Sequence, residues 1–263
     1  MKKDQFVALC ADSQRDAELL LPYVKHLAEH LKKGILLFTC SADGKDWVEK
    51  LGVPFAALKS EWPEVVEVMP TAFNVVLAVT LANPDAPRDS STNPRQILKN
   101  FKQSKIAYLE VPIPALYSPL PTPHSRVALT LNHQRESKEK LLWASYFARF
   151  FQSEIVVYHH PYSDPAFRQR LNNNIQYLEK TFSSLNIGYK LLSLPEGNQF
   201  SEPDFKAILQ PGIDLFISLV ADDRERDLVD FFTPSTALKL MKKAQSIPVL
   251  FLNQRDDLYI MCD

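Results

Sequence analysis

The sequence predicts an α/β protein built from two tandem, doubly wound parallel sheets, and three observations carry that prediction. The chain repeats itself at about half its length, because residues 6–12 (FVALCAD) return as residues 126–132 (RVALTLN). Short continuous apolar runs, typical of buried parallel strands, alternate with stretches of helical period. Five prolines in residues 111–123 separate the two copies. Strands that alternate with helices favour a parallel sheet covered on both faces.

The first copy predicts strands and helices in strict alternation. The stretch after its first strand has an apolar face of helical period, formed by Leu20, Val24, Leu27 and Leu31. A short helix covers residues 46–51, and the helix before the last strand begins at Asn93-Pro94, since proline suits the first helical turn. The predicted strands cover residues 6–12, 34–40, 55–58, 74–80 and 106–109.

The second copy predicts the same order with one longer helix. Its first helix places Leu142, Tyr146 and Phe150 on one face, beside Trp143, Phe147 and Phe151. Asp164-Pro165 opens the long helix as an N-cap followed by proline, and Gly188 ends it. A short helix begins at Thr233-Pro234. The predicted strands cover residues 126–132, 154–160, 189–192, 214–220 and 247–252.

The proline-rich segment marks the boundary between the two predicted domains. We assign residues 1–111 to a shortened N-terminal domain, 112–123 to a linker, and 124–263 to a C-terminal domain. Closely spaced prolines exclude a helix or a central strand, so the linker is predicted to be extended. The scaling of solvent-accessible surface with mass gives roughly 14,000 Å² for two separate halves and roughly 12,000 Å² for one compact body. We therefore expect a fixed pair, with the apolar tail 258–261 packed across it.

Composition excludes several classes of protein. With 30 Lys plus Arg against 31 Asp plus Glu, the chain lacks the positive charge that non-specific nucleic-acid binding needs. No apolar run approaches the ~20 residues that span a bilayer. Cys10, Cys40 and Cys262 have unrelated spacings, which predicts neither a disulfide framework nor a zinc site. We expect a cytoplasmic protein without a membrane or nucleic-acid partner.

The apolar strand that ends near Asp12, together with Pro234-Ser-Thr-Ala and the strand beginning at Ile247-Pro248, resembles the universal stress protein family. The resemblance covers nearly the whole chain and is stronger in residues 124–253. It implies two five-stranded sheets of strand order 3-2-1-4-5, as in adenine nucleotide alpha hydrolase-like folds, and a role in a cytoplasmic stress response. It also implies dimer-like pairing through the fifth strands, so the halves are expected to form an internal pseudo-dimer, and a homo-oligomer stays open.

The family's ATP-binding members carry Gly-x-x-Gly and a later Gly-Ser or Gly-Thr after the fourth strand, because backbone close to phosphates needs glycine. The chain has six glycines, and none lies in residues 81–94 or 220–236, the two corresponding stretches. Pro234 stands in place of the later glycine. Residues 222–227 of the second stretch carry four acids where triphosphate charge would sit, namely Asp222, Asp223, Glu225 and Asp227. We predict a degenerate nucleotide-binding site, no bound ATP and no other cofactor.

Asp12 matches the family's nucleotide-contacting aspartate, and Asn132 replaces it in the second copy. The resemblance implies a hydrogen bond to ribose or another ligand at this switch point of the sheet, with Ser13 beside it. Aspartate and asparagine also cap helices and turns, and the sequence favours that interpretation. Ser235 and Thr236 also have two interpretations. At a helix N-terminus they either help to bind an anion or simply cap the helix.

His159 and His160 end the second strand of the second copy, near where family members enclose adenine. Adjacent strand residues point to opposite faces, so these two do not share a metal ion. The sequence favours a solvated strand end, with His159 as a candidate for lining the crevice. His26 and His30 form the one metal-compatible helical pair, without a third ligand nearby, and we predict no metal site.

The chain shows no nucleophile elbow, Walker loop or pyrophosphatase loop. We therefore predict a non-enzymatic universal-stress-like protein that acts through its assembled surface. The alternative is a switch that binds a nucleotide or small ligand through a site without glycine, using Asp12, Ser13, Asn132, His159, Ser235 or Thr236. An enzyme on the same scaffold is the third hypothesis, because fold alone does not determine chemistry.

Overall fold

The computed structural model describes residues 4–57, 61–101, 104–117, 124–134, 137–197, 200–220, 239–240, 243–244 and 246–253. The chain forms two compact units, an N-terminal unit of Met1–Ser118 and a C-terminal unit of Pro119–Asp263. Ser235, Thr236, the helix expected at Thr233-Pro234 and the tail 258–261 lie outside the described residues. Among the described residues, no helix combines the length and the apolar character that crossing a membrane requires.

The N-terminal unit contains a five-stranded parallel sheet of order β3-β2-β1-β4-β5. β1 pairs with β2 from Phe6 opposite Gly34 and with β4 on its other side, so it lies at the centre of the sheet. The elements are β1 (Phe6–Cys10), α1 (Gln14–Leu31), β2 (Gly34–Thr39), α2 (Gly44–Leu51), β3 (Phe55–Ala57), α3 (Trp62–Ala72), β4 (Val75–Ala82), α4 (Pro94–Phe101), β5 (Ala107–Pro112) and α5 (Ile113–Leu116).

The C-terminal unit has strand order β10-β9-β6-β7-β8, which is the same 3-2-1-4-5 order counted within the unit. The predicted fold class, two tandem doubly wound parallel sheets, is therefore confirmed. The elements are β6 (Arg126–Leu131), α6 (Ser137–Phe151), β7 (Glu154–His159), α7 (Pro165–Ser184), β8 (Tyr189–Ser193), α8 (Glu202–Ile208), β9 (Leu215–Leu219) and β10 (Val249–Leu252).

The cores form on both faces of the central strands, which are buried along almost their whole length. β4 and β9 carry continuous apolar sequence because helices cover both faces of a parallel sheet. The predicted core face of α1 is confirmed, since Leu20, Val24, Leu27 and Leu31 are all buried. The predicted cap of α7 is also confirmed, because the Asp164 side chain accepts hydrogen bonds from the backbone N–H groups of Ala166 and Phe167.

The start of the proline-rich linker differs from its predicted extended form. β5 runs on to Pro112, and Ile113–Leu116 form a single helical turn, α5, with Pro114 near its start. Proline lacks only a backbone N–H, and the first turn of a helix leaves that group without an intrahelical partner in any case. A proline count therefore excludes a helix interior but not one isolated turn.

Two helical predictions in the C-terminal unit are wrong in detail. α7 ends at Ser184 rather than near Gly188, and Asn186 takes the left-handed conformation at φ 54°. Asparagine tolerates this conformation, so the helix ends before glycine is needed. The core face of α6 is formed by Leu141, Ala144 and Phe147, whereas Leu142 and Tyr146 of the predicted apolar face are exposed.

Candidate functional site

The candidate site of the N-terminal unit lies where β1 ends, and Asp12 is its central side chain. Its Oδ2 accepts a hydrogen bond of 2.7 Å from Nε1 of Trp62, the first residue of α3. Its Oδ1 accepts a bond of 3.3 Å from the backbone N–H of Cys40, just beyond β2. Asp12 therefore ties the end of β1 to β2 and α3, and both of its oxygens are engaged within the chain.

Ser13, and not Asp12, caps the helix that follows. The Ser13 hydroxyl oxygen accepts from the backbone N–H of Asp16 at 3.1 Å and donates to the Asp16 carboxylate at 2.7 Å. The capping interpretation of Asp12 is thus wrong, because its neighbour performs that role. Ser13 contributes to the start of α1, and its hydroxyl group is committed to this cap.

A small cavity lies between the carboxyl ends of β1 and β4. Its volume is about 10 Å³, which is about the least space that can hold one water molecule. A nucleotide does not fit a space of this size without movement of the walls. The lining comes from the strand ends, α1, α3, the loop after β4 and α4: Cys10, Ala11, Asp16, Trp62, Thr80, Leu81, Ser91, Thr92, Ile97, Asn100 and Phe101.

The loop after β4 is the place where a phosphate cradle would lie, and here it is closed on itself. The backbone N–H of Asn83 donates to the Thr92 carbonyl at 2.8 Å, which joins the two ends of the loop. Asn93 donates to the Ala86 carbonyl at 2.8 Å and accepts from the Arg95 N–H at 3.0 Å, so it also starts α4. The backbone groups named here are used within the loop.

In the C-terminal unit, Asn132 occupies the place that Asp12 has in the N-terminal unit, and its side chain organises a turn. Its Oδ1 accepts from the backbone N–H of Gln134 at 3.2 Å and from the hydroxyl of Ser137. Asn174 of α7 donates to the carbonyls of Asn132 and Gln134 at 2.9 and 2.8 Å. The structure thus shows the turn-forming role that the sequence favoured for Asn132.

A buried lysine beside this turn was missed by sequence reasoning. Lys140 has no exposed surface, and its Nζ donates to the Thr130 hydroxyl at 3.3 Å, near the carboxyl end of β6. A buried ammonium group is stable only with hydrogen-bonding or charged partners. Aligning the two copies by helix start would have revealed it, because the fourth residue of α1 is Ala17 and that of α6 is Lys140.

The two histidines at the end of β7 are not solvated as the sequence favoured. His160 is 2% exposed, with Nδ1 against the Pro195 carbonyl and Nε2 3.4 Å from Oδ2 of Asp204. A Cβ atom on Gly197 would lie 3.3 Å from that ring, so a glycine lets the β8–α8 connection pack closely. His159 is half-buried, and burial lowers the pKa of its imidazole.

The cysteines near the N-terminal site do not supply a reactive thiolate. Burial, with a smaller contribution from Asp12, raises the pKa of the Cys10 thiol well above its usual range. Burial also raises the pKa of Cys40 to about 11, and Asp12 and Glu61 add to the effect. Both thiols are protonated at neutral pH, and a thiol in that form is a poor nucleophile.

The predicted site residues fall into separate groups. Asp12 and Ser13 lie together in the N-terminal unit, whereas Asn132 and His159 end neighbouring strands of the C-terminal unit. Ser235 and Thr236 cannot be assigned a position, since they are outside the described ranges. In the part of the chain that the structure describes, three or more potential metal ligands do not come together anywhere.

Comparison with solved structures identifies proteins of the same fold. A universal stress protein from Archaeoglobus fulgidus matches with a TM-score of 0.67 at 12% identity, over 96% of this chain and 97% of that one. A functionally unknown protein from Pseudomonas aeruginosa matches with a TM-score of 0.61 at 12% identity, over 97% and 93% of the two chains.

A proposed universal stress protein from Pseudomonas aeruginosa gives a TM-score of 0.59 at 12% identity, over 95% and 92%. Neither a protein-family model nor a curated protein sequence matches the chain. At this level of identity the matches establish the fold, which is that of a tandem universal stress protein.

Proposed function

We propose that this protein is a non-enzymatic, universal-stress-like protein that acts through its assembled surface in a cytoplasmic stress response and does not bind ATP. The observation that carries the proposal lies at the carboxyl end of β1 in the N-terminal unit, where groups of the chain itself already donate hydrogen bonds to Asp12. The indole N–H of Trp62 and the backbone N–H of Cys40 donate hydrogen bonds to the two oxygens of Asp12, and the cavity that Trp62 helps to line has a volume of about 10 Å³. A ligand that binds Oδ2 of Asp12 therefore competes with the indole for that oxygen.

The sequence and the chemistry of the side chains support the same proposal. Residues 81–94 and 220–236 contain no glycine, so neither stretch offers the backbone freedom that a phosphate cradle requires. The thiols of Cys10 and Cys40 are protonated at neutral pH, and the Ser13 hydroxyl serves a helix cap. We also infer that the two units pair as an internal pseudo-dimer, which leaves the remaining surfaces for partners.

Equilibrium dialysis with ATP tests the proposal, and Trp62 provides the matched variants. We expect the unaltered protein and Trp62→Phe to show no stoichiometric binding at micromolar ATP. Trp62→Ala removes both the indole and its hydrogen bond, which frees Asp12 and enlarges the cavity. Stoichiometric micromolar binding by the unaltered protein would overturn the proposal, whereas binding by Trp62→Ala alone would support the occupied-site argument.

A second candidate function is a small-ligand switch in the C-terminal unit, and Lys140 is the observation that favours it. Its side chain is fully buried, and its Nζ donates to the hydroxyl of Thr130, which lies two residues before Asn132 near the carboxyl end of β6. Such a charge suits an anionic ligand, and Ser235 and Thr236 are the hydroxyl groups that the sequence offers for it.

Native mass spectrometry of the purified full-length chain distinguishes this candidate. We would expect one bound small anion per chain, lost in the Ser235→Ala, Thr236→Ala double variant and retained in Ser184→Ala, an exposed hydroxyl on α7. A bare protein mass, or a ligand that the double variant retains, would remove the switch and leave the surface-acting protein.

A further inference from the structure

Helix α6 carries large apolar side chains on the side that faces the core and also on the opposite side. Leu141, Ala144 and Phe147 are fully buried. On the opposite side, Leu142 is 41% and Tyr146 is 44% exposed. A helix that is apolar all round is normally buried on every side, so this outer face has more apolar surface than a solvated helix requires.

The counterpart helix in the N-terminal unit shows that the fold does not require such a face. α1 also follows the first strand of its sheet, and its exposed side chains include Arg15, Glu18, Lys25 and Glu29. These charges alternate in sign along the helix, as on an ordinary solvated face. The apolar outer face is therefore particular to α6.

We call the outer residues Lys138, Leu142, Trp143, Tyr146, Arg149 and Phe150 the α6 surface. Its rings form one continuous row, with Trp143 and Tyr146 edge to face at 5.7 Å and Tyr146 and Phe150 at 6.4 Å between ring centroids. The Arg149 guanidinium lies 5.9 Å from the Phe150 ring centre. Trp, Tyr and Arg are the residue types that dominate binding energy at protein interfaces.

The spacing of the apolar residues indicates the shape of the partner. Leu142, Tyr146 and Phe150 recur at every fourth residue, so they form a narrow stripe along the helix axis. A second helix packs against such a stripe by placing its own apolar row into the grooves between the side chains. The α6 surface is thus suited to helix-against-helix packing.

The charged residues of α6 and of its neighbour α7 indicate the sign of the partner's charge. The charged side chains of α6 that reach solvent are Lys138 and Arg149, because Glu139 and Lys140 are buried. α7, which packs against α6, adds exposed Arg168, Arg170 and Lys180 against a single exposed acid, Glu179. The chain as a whole has a formal net charge of −1, so this excess of cations on α6 and α7 is local.

We propose that the α6 surface binds an acidic amphipathic helix of a partner protein; this rests on the proposed function, in which the protein acts through its surface. A leucine-type row on the partner covers Leu142, Tyr146 and Phe150, and flanking glutamates face Lys138 and Arg149. A second copy of this chain fits less well, because two α6 surfaces would bring cations of like sign together.

Calorimetric titration of the full chain tests this with two synthetic helical peptides that share a leucine row. One peptide carries glutamates beside the row and the other carries lysines at the same positions. We expect the glutamate peptide to bind at least about tenfold more tightly, with an affinity that falls as salt rises. Equal binding of both peptides, or binding of neither, overturns the proposal.

Variants locate the binding and separate it from misfolding. Leu142→Gln with Tyr146→Gln should weaken the glutamate peptide by about tenfold or more, and Arg149→Glu should reverse the preference between peptides. Leu192→Gln, which alters an equally exposed leucine on β8, is the matched control and should bind like the unaltered protein. Because these side chains are exposed, far-UV circular dichroism and melting temperature should remain unchanged in all of them.

Two further results would assign the surface to another occupant and overturn the proposal. One is concentration-dependent dimerisation in sedimentation that Tyr146→Gln abolishes, which would indicate a second copy. The other is binding to phosphatidylserine vesicles in place of the glutamate peptide, which would indicate a membrane surface. Neither result bears on ATP dialysis, so failure here is distinguishable from failure of the proposed function.

Discussion

At the scale of single residues, Glu110 is the least expected side chain in the N-terminal unit. It stands on β5 opposite Thr80 of β4 and is 2% exposed. Its Oε1 atom has no hydrogen-bond partner among the described residues. Burial raises the pKa of this carboxyl well above its usual range, so the folded chain accommodates the neutral form.

The Glu110 carboxyl makes stability depend on pH in a stated direction. Because its pKa is higher in the folded chain, its contribution is fully present below the unfolded-state pKa of about 4.3 and is lost as pH rises through the folded-state pKa. Every tenfold difference in acidity between the two states corresponds to about 1.4 kcal/mol. Replacing this carboxyl by a neutral group should therefore stabilise the folded chain most at high pH.

We predict that Glu110→Gln raises the melting temperature at pH 8 and has little effect near pH 4. Glutamine keeps the size of the side chain and cannot ionise, so it avoids the burial of a carboxylate. Thermal unfolding followed by circular dichroism from pH 4 to pH 8 measures the difference. Glu196→Gln, on an exposed loop, is the control without a buried carboxyl. A gain that is constant across this pH range would contradict the explanation.

The functional side chains show why residue-level prediction stops short. Asp12 was identified from its place after a strand, but its partner Trp62 lies 50 residues further along the chain. A strand end predicts a solvated His160, yet Gly197 of the β8–α8 connection and Asp204 of α8 pack against its ring. Hydrogen bonds between distant segments leave no local pattern, so the occupied state of Asp12 and the burial of His160 required the structure.

At the scale of elements, patterns succeed where one local cause dominates. Asp164-Pro165 predicts the start of α7 because a cap and a first-turn proline act within a few residues. The strands are found because a parallel strand covered on both faces must be apolar throughout. α6 is the instructive failure, since apolar residues on all sides give a helical period without specifying which side faces the sheet.

That failure is also informative about function. The apolar face that the sequence predicts for α6 has the same helical period as the residues that are buried in the core. In the structure, however, Leu142 and Tyr146 of that face are exposed. α1 has no such ambiguity because its outer positions are charged. An ambiguous helix in one repeat, matched with an unambiguous helix in the other, thus singles out a candidate interaction surface from sequence and exposure together.

At the scale of the whole molecule, the internal repeat was the observation that made the fold predictable. The Val-Ala-Leu strands align the two copies, and both units have strand order 3-2-1-4-5. Pairing of the two units stays a prediction based on surface scaling. Full compaction buries on the order of 2,000 Å², which exceeds the roughly 600–1,500 Å² typical of mobile domain contacts.

We predict that the full chain unfolds in a single calorimetric transition, because two units that pair over the area predicted from surface scaling could not unfold one at a time without loss of stability in the other. Leu27→Ala in the N-terminal unit and Leu178→Ala in the C-terminal unit provide matched tests, since both side chains have no exposed surface. Each substitution should cost about 2–5 kcal/mol and lower the temperature of the whole transition. If the units are independent, each variant will instead split the transition, moving only the part that belongs to its own unit.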